Sequence, residues 1–141
     1  MKKAGLWMVL LLLILVGCGS SKIPKIEDYN WVMTSVQSVE AGGQAVAYGE
    51  RGSSTLETAR QIKLVCKAEG GNLTLTDQTN DRTYTGTYQR SKDSPQGVIY
   101  EISVEGQQGY AAVAMTTYQD GSQEPTLIFN LGDYAVNFFA E

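Results

Sequence analysis

The sequence predicts an all-β domain: an antiparallel meander closed as a barrel of eight to nine strands. Three observations carry that prediction. From Tyr29 onward, short β-type runs follow one another at the roughly 8–12-residue spacing of sandwiches and barrels. Within the clearest runs apolar and polar side chains alternate with period two, so one face is dry and the other wet, as in antiparallel sheets. Between the runs stand Gly42-Gly43, Gly70-Gly71, Asn80-Asp81, Asp120-Gly121 and Gly132-Asp133, connections short enough for hairpins. A run of hairpins closed on itself leaves no free edge, which suits a soluble surface protein.

The elements follow in order. Tyr29–Val39 and Gln44–Tyr48 are the first two strands, separated by the paired glycines. Gly49 to Gln61 interrupts the pattern. There Ser54-Thr55-Leu56-Glu57 has the form of a capping box, so the segment is either a helical turn or two, lying across a barrel mouth or between strands, or a plain linker. Gln61–Ala68 resumes the β pattern with Ile62, Leu64 and Cys66 on one face, which makes Cys66 a small buried hydrophobe rather than a reactive thiol. In Asn72–Asp77, Leu73 and Leu75 oppose Asn72, Thr74 and Thr76; in Arg82–Gln89, Tyr84, Gly86 and Tyr88 oppose Thr83, Thr85, Thr87 and Gln89. Gly97–Glu105 sets Val98, Tyr100, Ile102 and Val104 against Glu101, Ser103 and Glu105. Gly109–Tyr118, Thr126–Asn130 and Tyr134–Ala140 complete the set.

Ahead of the strands, Lys2 and Lys3 precede an apolar run from Leu6 to Val16, then Gly17 and Cys18. A charged start, a short apolar stretch and a small residue at the break form a secretory signal. The run is too short for the roughly 20 apolar residues of a spanning helix. Leu15-Val16-Gly17-Cys18 resembles the bacterial lipobox. That resemblance implies cleavage before Cys18, acylation of its sulfur by palmitate-type chains, and residence on the extracytoplasmic face of the bacterial cell membrane. Each buried methylene of such a chain contributes about 0.8 kcal/mol, so two or three chains hold the protein permanently. The expected organisation is a lipoprotein signal peptide over 1–17, a lipid-anchored tether over 18–27 and a β-barrel domain over 28–141. With Cys18 acylated, Cys66 has no partner for an intramolecular disulfide.

Charge narrows the partners. The formal net charge is −4, and removal of Lys2 and Lys3 with the signal makes it −6. After Lys92 there is no cation, while Asp93, Glu101, Glu105, Asp120, Glu124, Asp133 and Glu141 follow. This balance argues against nucleic acid, which needs basic contacts to phosphate, and against adhesion to anionic lipid heads.

Catalysis has little to stand on, and the chain is read as not an enzyme. It has no histidine and no Gly-x-Ser-x-Gly elbow. Ser91 and Lys92 are adjacent and would face opposite ways on a strand. Glu101 and Glu105 share a polar face at about 13 Å by strand rise, beyond the roughly 5–9 Å of glycosidase carboxylates. Asp77-Gln78-Thr79-Asn80-Asp81 and Asp120-Gly121-Ser122-Gln123-Glu124 offer oxygen ligands, but they lack EF-hand spacing and suit tight turns better. No metal or other cofactor is expected.

Aromatic residues are the one suggestive set, spread over most strands. Trp31, Tyr84, Tyr88 and Tyr100 are the candidate ligand-binding residues, able either to fill a small barrel or to line a pocket for one small apolar ligand. Gly86, between Tyr84 and Tyr88, leaves room inside or permits a bend. At Tyr29-Asn30-Trp31-Val32-Met33-Thr34, Tyr84-Thr85-Gly86-Thr87-Tyr88 and Tyr118-Gln119-Asp120-Gly121-Ser122, the chain resembles the small lipocalin-like lipoproteins of Firmicutes. It departs from the Gly-x-Trp opening of true lipocalins by carrying Tyr29 in the glycine's place. The resemblance implies a lipocalin-like barrel across nearly the whole mature chain. The expected role is binding: of a small apolar ligand within the barrel, or of an envelope protein by an accessory lipoprotein whose core is filled.

Overall fold

The computed structural model describes residues 22–141; the expected signal peptide and the lipidation site at Cys18 lie outside the described residues. A 3-10 turn, Ile26–Asp28, leads into ten strands: β1 Trp31–Ser38, β2 Ala45–Tyr48, β3 Arg60–Gln61, β4 Leu64–Glu69, β5 Asn72–Asp77, β6 Arg82–Ser94, β7 Gly97–Val104, β8 Gln107–Thr117, β9 Gln123–Leu131 and β10 Tyr134–Ala140. Eight of them, β1 and β4 to β10, form an antiparallel meander that closes through β1 and β10. The predicted barrel is the observed one, with β2 and β3 outside it.

A bulge explains how two strands come to lie outside. β1 pairs along its whole length with β10, but the register slips between Met33 and Ser35. Before the slip, Trp31 and Val32 pair with Cys66 and Val65 of β4; after it, Ser35 to Gln37 pair with β2. A bulge bends a strand and sharpens its twist, so one edge of β1 serves two partners in turn. β3 then pairs with β2 in parallel.

The alternation read from sequence is the burial pattern. Leu73, Leu75, Val98, Tyr100 and Ile102 are buried, while Asn72, Thr74 and Glu101 are exposed. Trp31, Cys66, Val113, Leu127 and Phe129 are fully buried in the same core. The outward positions are mostly polar, with Ile99, Tyr110 and Ile128 among the exposed exceptions, whereas a transmembrane barrel carries a continuous apolar band outside. Among the described residues no helix is long and apolar enough to cross a membrane.

One open alternative is decided, and three local expectations are corrected. Gly49 to Gln61 forms no helical turn: Ser54 Oγ donates to the Ala45 carbonyl and accepts from the Leu56 N–H, fastening a linker to β2. β6 runs on to Ser94, because a bulge after Arg90 lets Lys92 and Asp93 pair with Ile99 and Val98 although all three residues from Ser91 are polar. β8 and β9 begin earlier than their apolar content indicates, since Gln107, Gln123 and Glu124 pair through backbone alone. The tether ends before Glu27: Pro24 is buried and Ile26 wholly so. Two apolar side chains in a polar stretch are too few to show a period, yet they are enough to stopper a barrel.

Gly86 permits close approach rather than leaving room. A Cβ there would stand far inside contact with the Ser103 carbonyl oxygen on β7. The space that the missing side chain frees is taken by backbone.

Candidate functional site

Three of the four predicted ligand-binding residues converge at one end of the barrel, and their occupant is the chain itself. The 3-10 turn is closed by the Asp28 N–H donating to the Lys25 carbonyl at 3.1 Å, while the Lys25 N–H donates to the Asp28 carboxylate at 3.0 Å. This turn drives Ile26 into the core. Its N–H donates to the Tyr100 hydroxyl at 3.2 Å, and its carbonyl accepts from Trp31 Nε1 at 2.8 Å. With the turn in place Trp31 and Tyr100 are 0% and 1% exposed, so both polar atoms need a partner within the protein. Ile26 satisfies both. Tyr88 stacks edge-on against Tyr100 with centroids 5.8 Å apart, and Tyr29 against Trp31 at 5.4 Å. Tyr84 lies farther along β6, half-buried against the same core.

Burial pushes the pKa of the Tyr88 and Tyr100 hydroxyls up, and the nearby Glu27 carboxylate pushes in the same direction. At neutral pH both are uncharged hydrogen-bonding groups. The Glu27 carboxylate is therefore the charged group nearest this end of the barrel.

A second constellation lies outside, and sequence reasoning missed it. Arg51, in the linker after β2, reaches Glu124 on β9 through two parallel bonds of 2.6 and 2.9 Å. The Tyr118 hydroxyl donates to the same carboxylate at 2.8 Å, and the guanidinium lies over the Phe139 ring at 4.1 Å. Residues 73 apart give no local signal. Only barrel closure brings β10 beside β1 and lets the linker cross both. The bond from Arg51, and then the Tyr118 hydroxyl, hold the Glu124 carboxyl below the ordinary carboxylate range against its partial burial.

The two acidic loops are turns. Burial raises the pKa of Asp77, but the Asn80 side chain and the Asn80 and Thr79 N–H groups outweigh it and hold the carboxyl low. All three bonds are between 2.8 and 3.0 Å. Asp120 is spent in the same way on the N–H and hydroxyl of Ser122. Among the described residues no group of three His, Cys, Asp or Glu side chains is placed to hold a metal ion. Glu105 accepts from the Thr85 N–H at 2.8 Å, and Glu101 faces an outer cleft over β6 to β8.

No protein-family model, curated protein or solved structure matches this chain. The fold and the placement of its side chains therefore carry the functional reading.

Proposed function

We propose that this protein is a lipid-anchored binding protein of the bacterial envelope, held through acylated Cys18 on the extracytoplasmic face of the cell membrane. It acts through the outer surface of a filled barrel as an accessory lipoprotein of the lipocalin-like kind, without catalysis and without nucleic acid. The observation that carries this reading is the Ile26 stopper. The two interior polar groups best placed to orient a ligand, Trp31 Nε1 and the Tyr100 hydroxyl, are both occupied by the chain's own backbone. Beyond them, Phe129 and Phe138 are fully buried, tilted against each other at 5.0 Å, so the bulkiest side chains pack on one another. Signal and lipobox pattern support the anchor. The polar outer face and the acidic balance support a soluble domain beside, rather than within, the bilayer.

The same stopper favours a second reading. A three-residue turn on two hydrogen bonds is a small occupant to displace, and a small apolar ligand with one polar atom would fit where Ile26 sits. Native mass spectrometry of the full-length protein, extracted gently from bacterial envelopes, separates the two. The filled-barrel reading expects a mass of protein plus acyl chains alone, and a Cys18→Ala variant that loses those chains and leaves the membrane fraction. A co-purifying small molecule that is retained in wild type and lost in Tyr88→Ala would instead establish the ligand-carrying barrel.

A further inference from the structure

The register of β6, β7 and β8 stacks two rows of side chains on the outer face. Thr87, Ser103 and Gln108 stand in one row, Gln89, Glu101 and Tyr110 in the next. Together they line an open cleft of about 470 Å³, within the roughly 300–1,000 Å³ of small-molecule sites. Tyr110 is 57% exposed, more than Tyr118 or Tyr134. Neighbouring side chains are spent within the chain: Glu105 on Thr85, Arg90 on Asp93, Ser94 on Gly97. Among the described residues none of the six is so engaged.

The chemistry of this lining selects a ligand class. An apolar molecule would cover two amides, three hydroxyls and a carboxylate without partners, which is costly. An anion meets Glu101 and no cation among the lining side chains. A strongly cationic ligand finds a single carboxylate. A neutral polyhydroxylated molecule satisfies every group: its hydroxyls meet the amide, hydroxyl and carboxylate oxygens and N–H groups, and its C–H face lies on the Tyr110 ring. All six side chains project from paired strands, so the site needs no ordering of loops.

We propose that this cleft binds a neutral sugar unit of an envelope glycan. The inference rests on the reading that the protein works through its outer surface, and it assigns that surface a ligand. Tyr110 is the stacking platform, Gln89, Gln108 and Glu101 are the orienting groups, and Thr87 and Ser103 form the floor.

Saturation-transfer NMR on the full-length protein in detergent micelles tests it, with chitotriose, cellotriose and maltotriose as probes. At least one trisaccharide should receive saturation, strongest at the C–H protons of one ring. Tyr110→Ala should weaken binding about tenfold or more, equivalent to ~1.4 kcal/mol, with unchanged melting. Tyr110→Phe, which keeps the ring, should stay within about threefold of wild type. Absence of transfer from all three probes at about 10 mM, or equal transfer in wild type and Tyr110→Ala, overturns the proposal. If sugars fail and the native mass shows an empty protein, the sugar site falls and the outer-surface reading stands. If sugars fail and an apolar molecule co-purifies, both fall.

Discussion

Cys66 shows how burial at one residue turns a reactive group into packing. It is 0% exposed between β1 and β5 partners, and burial pushes its thiol up to about 12. The thiolate that reacts with alkylating agents is therefore scarce at ordinary pH. Iodoacetamide at pH 8 should leave Cys66 unlabelled in the native protein and label it fully once denaturant is added. Cys66→Ser places a hydroxyl where no partner waits and should cost about 1–3 kcal/mol, read from chemical denaturation. Gly86 makes the complementary point for the backbone. Gly86→Ala must push apart β6 and β7 at Ser103, because the obstacle is a carbonyl rather than a movable side chain. The expected loss is about 1–3 kcal/mol, measured by thermal melting. Tyr84 and Tyr88, on either side, should tolerate exchange for Phe far better.

At the scale of the element, the linker after β2 earns its position from both ends. Gly49 donates to the Thr34 carbonyl at 2.8 Å, and Gly52 packs so tightly on that carbonyl that any side chain would collide with it. This wraps the linker around the β1 bulge and delivers Arg51 to Glu124. The pair is partly exposed, with side chains 49% and 21% accessible, so its worth is modest after solvent screening. Glu124→Gln should cost about 0.5–1 kcal/mol near pH 7. The folded carboxyl titrates below its unfolded value. Its contribution is thus complete above the ordinary carboxylate range and disappears as pH falls through the folded value. Melting curves of wild type and Glu124→Gln should differ at pH 7 and converge near pH ~2. A difference that persists in acid would mean that lost packing on Phe139, rather than charge, carries the effect.

For the whole molecule, closure is the decisive event. Trp31 pairs with Ala140 at one end of the β1–β10 seam and Ser38 with Tyr134 at the other, so the first strand waits for the last. Such long-range pairing pays loop entropy before it gains contacts, and the protein should refold in about milliseconds to seconds. A chain ending at Asp133 would lack β10 and leave two long edges, on β1 and β9. That truncation should lose the single cooperative transition in calorimetry and associate on size exclusion, since open edges recruit other strands. A truncated chain that melts cooperatively as a monomer would show that the seam is dispensable.

Much of this architecture was legible in the sequence because period-two burial is a local property. Asn72–Asp77 and Tyr134–Ala140 are strands with the predicted ends. Tyr100 could be read as inward-facing for the same reason, whereas Trp31, Val32 and Met33 are all buried and show no alternation. The Ile26 stopper, the Arg51–Glu124 strap and the cleft beneath Tyr110 could not. The first two depend on residues brought together by barrel closure, and the third on the exact register of β6, β7 and β8, which alternation along the chain does not fix.

The sequence by itself determined an all-β meander, which faces of its strands are dry, and a single buried thiol. These follow from alternation, turn residues and hydrophobicity, which act over a few residues. Only the tertiary structure decided that the ring closes through β1 and β10, that β2 and β3 stand outside it, and that the barrel is stoppered by its own leading segment. Closure is set by bulges and strand tilt summed around eight strands, and Ile26 is held in the mouth by backbone bonds to Trp31 and Tyr100, residues that come together only once the barrel has formed.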